Sequence, residues 1–155
     1  MNEPVPAIKV LLLPKDTNAY GTIFGGVILS HIDLASAVEA RKAAPLRFVT
    51  KAMREVEFHE PVFMGDVVSF YTETLRVGRT SVTVKVSVVA ERWGRGPGSG
   101  EPKGQRVPVT QAEVVLGPRP VGRADRAVED VVAPRELGRR EQLAVVHGAD
   151  GPPLR

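Results

Sequence analysis

With 155 residues, the chain has room for one domain of ordinary globular composition and no second catalytic one. It contains no cysteine, which excludes disulfides, thiolate nucleophiles and cysteine-held metals together. The net charge of +3 points to an anionic partner, but Arg119, Arg123, Arg126, Arg135, Arg139, Arg140 and Arg155 put much of it in the C-terminal region. Aromatic residues are only 5%, too few to interleave with that basic charge, so a solvated tail is favoured over nucleic-acid binding. No apolar run reaches the roughly 20 residues of a membrane span, and no basic segment precedes an apolar leader, so a soluble cytoplasmic protein is expected.

Residues 1–7 are read as a flexible N-terminus. Ile8–Leu13 reads as a first strand, closed by Pro14. The polar stretch Lys15-Asp16-Thr17-Asn18-Ala19-Tyr20-Gly21 has turn-forming residues and leads to Gly25-Gly26. From Val27 to Lys42 there is neither Gly nor Pro, and Pro45 stands beyond as a stop, so a helix is predicted. Its apolar residues point in nearly every direction, the mark of a helix enclosed by protein.

After this helix the period falls from 3.6 to 2. Phe48–Phe58 and Val67–Val77 read as strands around Pro61 and the turn Met64-Gly65-Asp66. Val82, Val84, Val86 and Val88 alternate with Thr83, Lys85, Ser87 and Val89 in a further strand. Trp93 to Gly104 is rich in Gly and Pro and predicts a long loop to a last strand, Val107–Leu116. Residues 118–155 read as a tail, with a short helix over 136–146. The order lacks βαβ alternation and predicts an α+β fold, an antiparallel sheet wrapped around one helix, over residues 8–117. Such a sheet covers only one side of the helix, so a second copy is expected to close the rest.

Three features can carry chemistry. Asp33 is a carboxylate midway along the apolar helix, costly to bury unless hydrogen-bonded or employed. It either bonds Ser30, Ser36 or nearby backbone as a packing device, or it reacts. Gly25-Gly26 leaves free N–H groups at the positive end of the helix, open to a carbonyl oxygen, or else only permits a sharp turn. Arg79, with Gly78, Thr80 and Ser81, offers donors for a phosphate or forms a solvated turn. The three histidines show no metal-ligand spacing and no serine sits in a nucleophile elbow, so no metal centre and no resident cofactor are expected.

The run Pro14-Lys15-Asp16-Thr17-Asn18-Ala19-Tyr20-Gly21-Thr22-Ile23-Phe24-Gly25-Gly26, continuing to Ser30-His31-Ile32-Asp33, resembles the signature of the YciA-like, hotdog-fold acyl-CoA thioesterases, relatives of brain acyl-CoA hydrolase. The likeness continues in order through Arg47-Phe48-Val49-Thr50, Gly65-Asp66-Val67-Val68, Gly78-Arg79-Thr80-Ser81 and Gly104-Gln105-Arg106.

The resemblance implies hydrolysis of acyl-CoA to a fatty acid and coenzyme A, in a dimer or trimer of dimers with sites at the dimer interface. It implies Asp33 as general base or nucleophile, with Gly25 and Gly26 of the partner polarising the carbonyl and Asn18 in the same motif. Thr22 and Phe24 would line the substrate site. Gly78, Arg79, Thr80, Ser81 and Arg106 would contact the coenzyme A part of the substrate.

Three departures stand out. Thr22 replaces a frequent Asp or Asn, Glu60 a usual basic residue before Pro61, and Lys51-Ala52-Met53-Arg54-Glu55 a Val-Ala-Val run leading to an acidic residue and Ser. Two other activities were weighed. A hotdog dehydratase or hydratase needs an acid/base histidine that the Gly-Gly turn does not carry. An acyl-CoA-sensing regulator needs a DNA-binding segment, for which the seven residues before the first strand are too short.

Overall fold

The computed structural model describes residues 3–94 and 104–119. The expected helix over 136–146 and most of the loop over 93–104 lie outside them. The elements are β1 (Ile8–Leu11), a 3-10 turn (Pro14–Asp16), α1 (Gly25–Ala43), β2 (Phe48–Phe58), β3 (Val67–Val77), β4 (Val82–Arg92) and β5 (Gln105–Pro118). All pairings are antiparallel, in the order β1-β3-β4-β5-β2. This is the single sheet with one long helix that the sequence predicts. The first strand ends earlier than its apolar run, because the chain past Leu11 bends into the 3-10 turn; Leu12 is nevertheless fully buried.

Helix α1 starts two residues before Val27, so both glycines belong to its first turn. It stops at Ala44, which is extended (φ −150°, ψ 141°) because a residue before proline is driven out of the helical region. Ile28, Ile32, Ala35, Ser36 and Ala40 are buried. They pack with Val82, Val84, Val86, Val88 and Ala90 of β4 and with Val114 and Leu116 of β5. Glu39 ties the helix to β3 by accepting hydrogen bonds from the hydroxyls of Thr72 (2.8 Å) and Thr74 (3.1 Å).

As expected of a sheet that covers one side of the helix, α1 is not enclosed within a single chain: Leu34 is 56% and Val38 44% exposed, and Val49 on neighbouring β2 is 43% exposed. The all-round apolar pattern therefore describes a helix with only one face covered by its own sheet. Strand β2 is also an outer strand, so its free edge and the bare helix face belong to the same side of the molecule.

Bulges shape β2. Its register with β5 slips between Thr50 and Ala52, leaving Lys51 as an extra residue, and slips again between Arg54 and Glu57. In the second bulge Glu55 has φ +55°, a left-handed conformation that costs a side-chain-bearing residue about 1 kcal/mol. Glu55→Gly is therefore expected to raise stability by about 0.5 to 1 kcal/mol in urea unfolding at fixed protomer concentration. An unchanged or lower midpoint would mean that the Glu55 side chain contributes more than the backbone strain costs. Pro108 lies near the start of β5 beside another slip, where Val109 is left over between the pairs Val88–Thr110 and Val89–Pro108 and a ladder donor can be spared.

Candidate active site

The signature residues before α1 build the loop that presents its first turn. The Asp16 carboxylate accepts the Leu13 N–H (3.0 Å), and the Thr17 hydroxyl donates to the Pro14 carbonyl (2.7 Å). Asn18 uses both ends of its carboxamide inside the loop. Its oxygen accepts the N–H groups of Tyr20 (2.9 Å) and Thr22 (3.2 Å), while its NH2 donates to the Thr22 hydroxyl (2.8 Å). Gly21 between them has φ +81°, which a side chain would strain. The Phe24 N–H then donates to the Asp16 carbonyl (2.9 Å), anchoring the residue that precedes the helix.

Gly25 and Gly26 follow as the first two helical residues, and no side chain caps this end. Among the described residues no acceptor meets their N–H groups, so two donors and the positive end of the helix point outward. A side chain at Gly26 would lie 2.4 Å from the Phe24 ring, so glycine there lets this exposed ring fold over the helix start. Beside it opens a cleft of about 360 Å³, lined on one side by Thr22, Gly25 and Ile28 and on the other by Phe58 to Val62.

The wall of this cleft is clasped from β4. The Arg92 guanidinium pairs with Asp66 (3.1 Å), donates to the Pro61 carbonyl and lies over the Phe63 ring, 4.7 Å from its centroid. Asp66 in turn accepts the Phe63 N–H at 2.9 Å. Glu60, the departure from a basic residue, lines the same cleft.

Asp33 lies two turns further along α1 and does not line the cleft. It is half-buried, and the Thr50 hydroxyl of β2 donates a hydrogen bond to its Oδ1. Among the described residues Oδ2 has no partner, so one carboxylate oxygen is oriented while the other remains available. The packing roles open to Asp33 in the sequence are filled differently: the Ser36 hydroxyl donates to its backbone carbonyl (2.7 Å) and the Ser30 hydroxyl to that of Val27 (2.8 Å).

The sheet separates the residues expected at coenzyme A. Gly78 to Ser81 form the β3–β4 turn, where the Gly78 N–H donates to the Ser81 carbonyl (2.7 Å) and Arg79 and Thr80 are exposed. Arg106 pairs with Glu91 at the far end of β4, roughly 30 Å away at about 3.3 Å per residue. There its guanidinium donates to the Tyr71 hydroxyl (2.6 Å). Arg79 and Arg106 of one chain therefore cannot hold the same phosphate.

A model of the thioesterase superfamily matches residues 20–94. A Haemophilus influenzae protein named an uncharacterized acyl-CoA thioester hydrolase is 43% identical over 105 residues, 68% of this chain and 65% of that protein's length. The acyl-CoA thioester hydrolase YciA of Escherichia coli is 39% identical over 105 residues, 68% of this chain and 76% of its own. This chain belongs to the acyl-CoA thioester hydrolase family. Its architecture is the hotdog fold: a hexameric hotdog fold thioesterase of Campylobacter jejuni superposes with a TM-score of 0.69 at 42% identity, over 79% of this chain and 87% of that one.

In this hydrolase-family chain the structure brings Asn18, Thr22, Phe24, Gly25 and Gly26 together at the helix start, and places Asp33 and the Gly78–Ser81 turn elsewhere. Thr50 was not singled out by sequence reasoning. The signal was available, since a strand of period 2 beside an apolar helix must turn some of its residues toward that helix. Glu60 and Pro61 were noted in the sequence, but that Phe58 to Val62 form a wall facing the glycines was not, because only the fold brings them together. Among the described residues no helix is long and apolar enough to cross a membrane.

Proposed function

We propose that the protein hydrolyses acyl-CoA to a carboxylic acid and coenzyme A, with Asp33 acting on a thioester carbonyl held by another protomer. The observation that carries this reading is the Asp33 carboxylate, oriented at Oδ1 by Thr50 and unpartnered at Oδ2, on a helix face bare of cover in one chain.

The N–H groups of Gly25 and Gly26 are aimed where a carbonyl oxygen gains negative charge during attack. They sit about 12 Å from Asp33 along the same helix, at about 1.5 Å per residue, too far to serve one carbonyl. A two-fold pairing of protomers, helix against helix and β2 edge against β2 edge, sets each Asp33 near the partner's helix start and covers Leu34, Val38 and Val49. The reading thus makes the dimer the smallest working unit. A trimer of such dimers agrees with the hexameric relative.

Asp33 then has two routes. As a base, Oδ2 takes a proton from water while the oxygen attacks the carbonyl. As a nucleophile, Oδ2 attacks it directly, and water cleaves the resulting anhydride. In the base route the proton held by Asp33 passes to sulfur as the C–S bond breaks; in the nucleophile route coenzyme A leaves as its thiolate and takes a proton from solvent. Asn18 serves by fixing Thr22 and the loop; Thr22 lines the cleft, and the Phe24 ring lies against the helix start beside it. The cysteine-free chain suits a reducing cytoplasm. Thiol release from acyl-CoAs of graded chain length, wild type against Asp33→Asn, tests the assignment. Absence of wild-type turnover on every chain length, or full turnover in the variant, contradicts it.

A further inference from the structure

Lys51 stands at the position that the family tends to fill with an apolar residue, and it is the extra residue of the first β2 bulge. A bulge re-aims a side chain. Here the Lys51 chain crosses β5 over Gly117, where a Cβ would lie 2.1 Å from its Cε, and its ammonium donates to the Thr80 carbonyl at 3.2 Å. Lys51 thus reaches the turn that carries Arg79 from two strands away.

The charge around that turn is one-sided. The strand ends that meet there, residues 44–53, 76–84 and 114–119, include Arg47, Lys51, Arg79 and Arg119, all exposed, and contain no Asp or Glu. The Arg119 N–H donates to the Arg47 carbonyl at 2.6 Å, which holds these two strand ends side by side. The Lys51 ammonium has one acceptor and two further N–H groups to offer, on a turn whose Thr80 and Ser81 add hydroxyls. Unpaired like charges held together repel, and a ligand with several negative charges relieves that repulsion.

We propose that Lys51 is a positioning residue for the phosphates of the substrate's nucleotide end, holding the Gly78–Ser81 turn from below and adding a second cation beside Arg79. This rests on the acyl-CoA reading above and adds Lys51 to the residues expected at the nucleotide end. Gly117 is part of the arrangement, because a Cβ there would make the flexible end of the lysine shift from this path.

The test compares hexanoyl-CoA with hexanoyl-pantetheine, which carries the same thioester without nucleotide or phosphate. Lys51→Met raises KM for hexanoyl-CoA about tenfold, the loss expected of one charge-assisted contact, with kcat within about twofold. It leaves KM for hexanoyl-pantetheine unchanged. Lys51→Arg restores most of the affinity. Gly117→Ala keeps the charge but pushes the lysine off the turn, raising KM for hexanoyl-CoA alone, by about threefold. An unchanged KM for hexanoyl-CoA in Lys51→Met overturns the proposal. So does an equal rise on both substrates, which would tie Lys51 to the thioester end common to both and not to the phosphates. Loss of kcat on both would implicate the bond-breaking site instead, whereas failure of the Asp33 assignment leaves the KM comparison intact.

Discussion

Asp33→Asn lowers kcat for acyl-CoA hydrolysis by about a thousandfold, within the range of about 10² to 10⁴ for a positioned proton-transfer group. The amide keeps the size of the carboxylate, and its oxygen still accepts the Thr50 hydroxyl. It can neither take a proton from water nor attack a carbonyl. The residue is half-buried with one oxygen free, so the folded state depends little on its charge, and the unfolding midpoint shifts by the equivalent of less than about 1 kcal/mol. KM changes little, because the phosphate-bearing end of the substrate is read elsewhere. A fall of less than tenfold in kcat would move the chemistry away from Asp33. A large loss of stability would make it a packing residue.

Arg92→Met is expected to cost about 3 kcal/mol of stability at fixed protomer concentration, read by urea denaturation. The substitution keeps most of the apolar stem. It removes the partner of Asp66, whose side chain is only 4% exposed, together with the donor to the Pro61 carbonyl and the cation over Phe63. Asp66 retains the Phe63 N–H, so its charge is not wholly stranded, which keeps the figure at the low end for breaking a buried pair. Because Arg92 holds one wall of the cleft, KM should rise as well. A change below about 1 kcal/mol would show that the clasp is not what fixes the segment from Pro61 to Asp66.

Much of this was legible in the residues. The Gly- and Pro-free run from Val27 locates α1 to within a turn, and the alternating valines of β4 reveal the buried face of the sheet. Asp33 stood out as a charge among apolar neighbours, and the glycine pair as an open helix start. Strand order was not legible: β5 inserts between β4 and β2, a choice made by long-range strand pairing and not by local pattern.

Thr50 escaped because a threonine in a strand is ordinary until its partner is known. Lys51 stood out as a departure, but its reach toward Thr80 did not, because a bulge interrupts the alternation from which a side chain's direction is read. The all-round apolar helix called for cover beyond its own sheet, and one chain does leave Leu34 and Val38 bare. That pattern reports what the helix needs in the assembly, which a single chain does not contain.

The central claim is that Asp33 of one protomer works with the helix start of another. Mixing two inactive variants tests it most directly. Asp33→Asn lacks the carboxylate. Gly25→Val fills the cleft beside the free N–H groups, where its Cβ would sit 3.7 Å from Phe58 without clashing. After co-expression or subunit exchange, half of randomly formed dimers are mixed, and each mixed dimer has one site with Asp33 and Gly25 both intact. The account predicts recovery of about a quarter of wild-type turnover from the mixture. If mixed dimers form, as shown by differently tagged chains, and turnover stays at the level of the separate variants, the shared-site account is wrong.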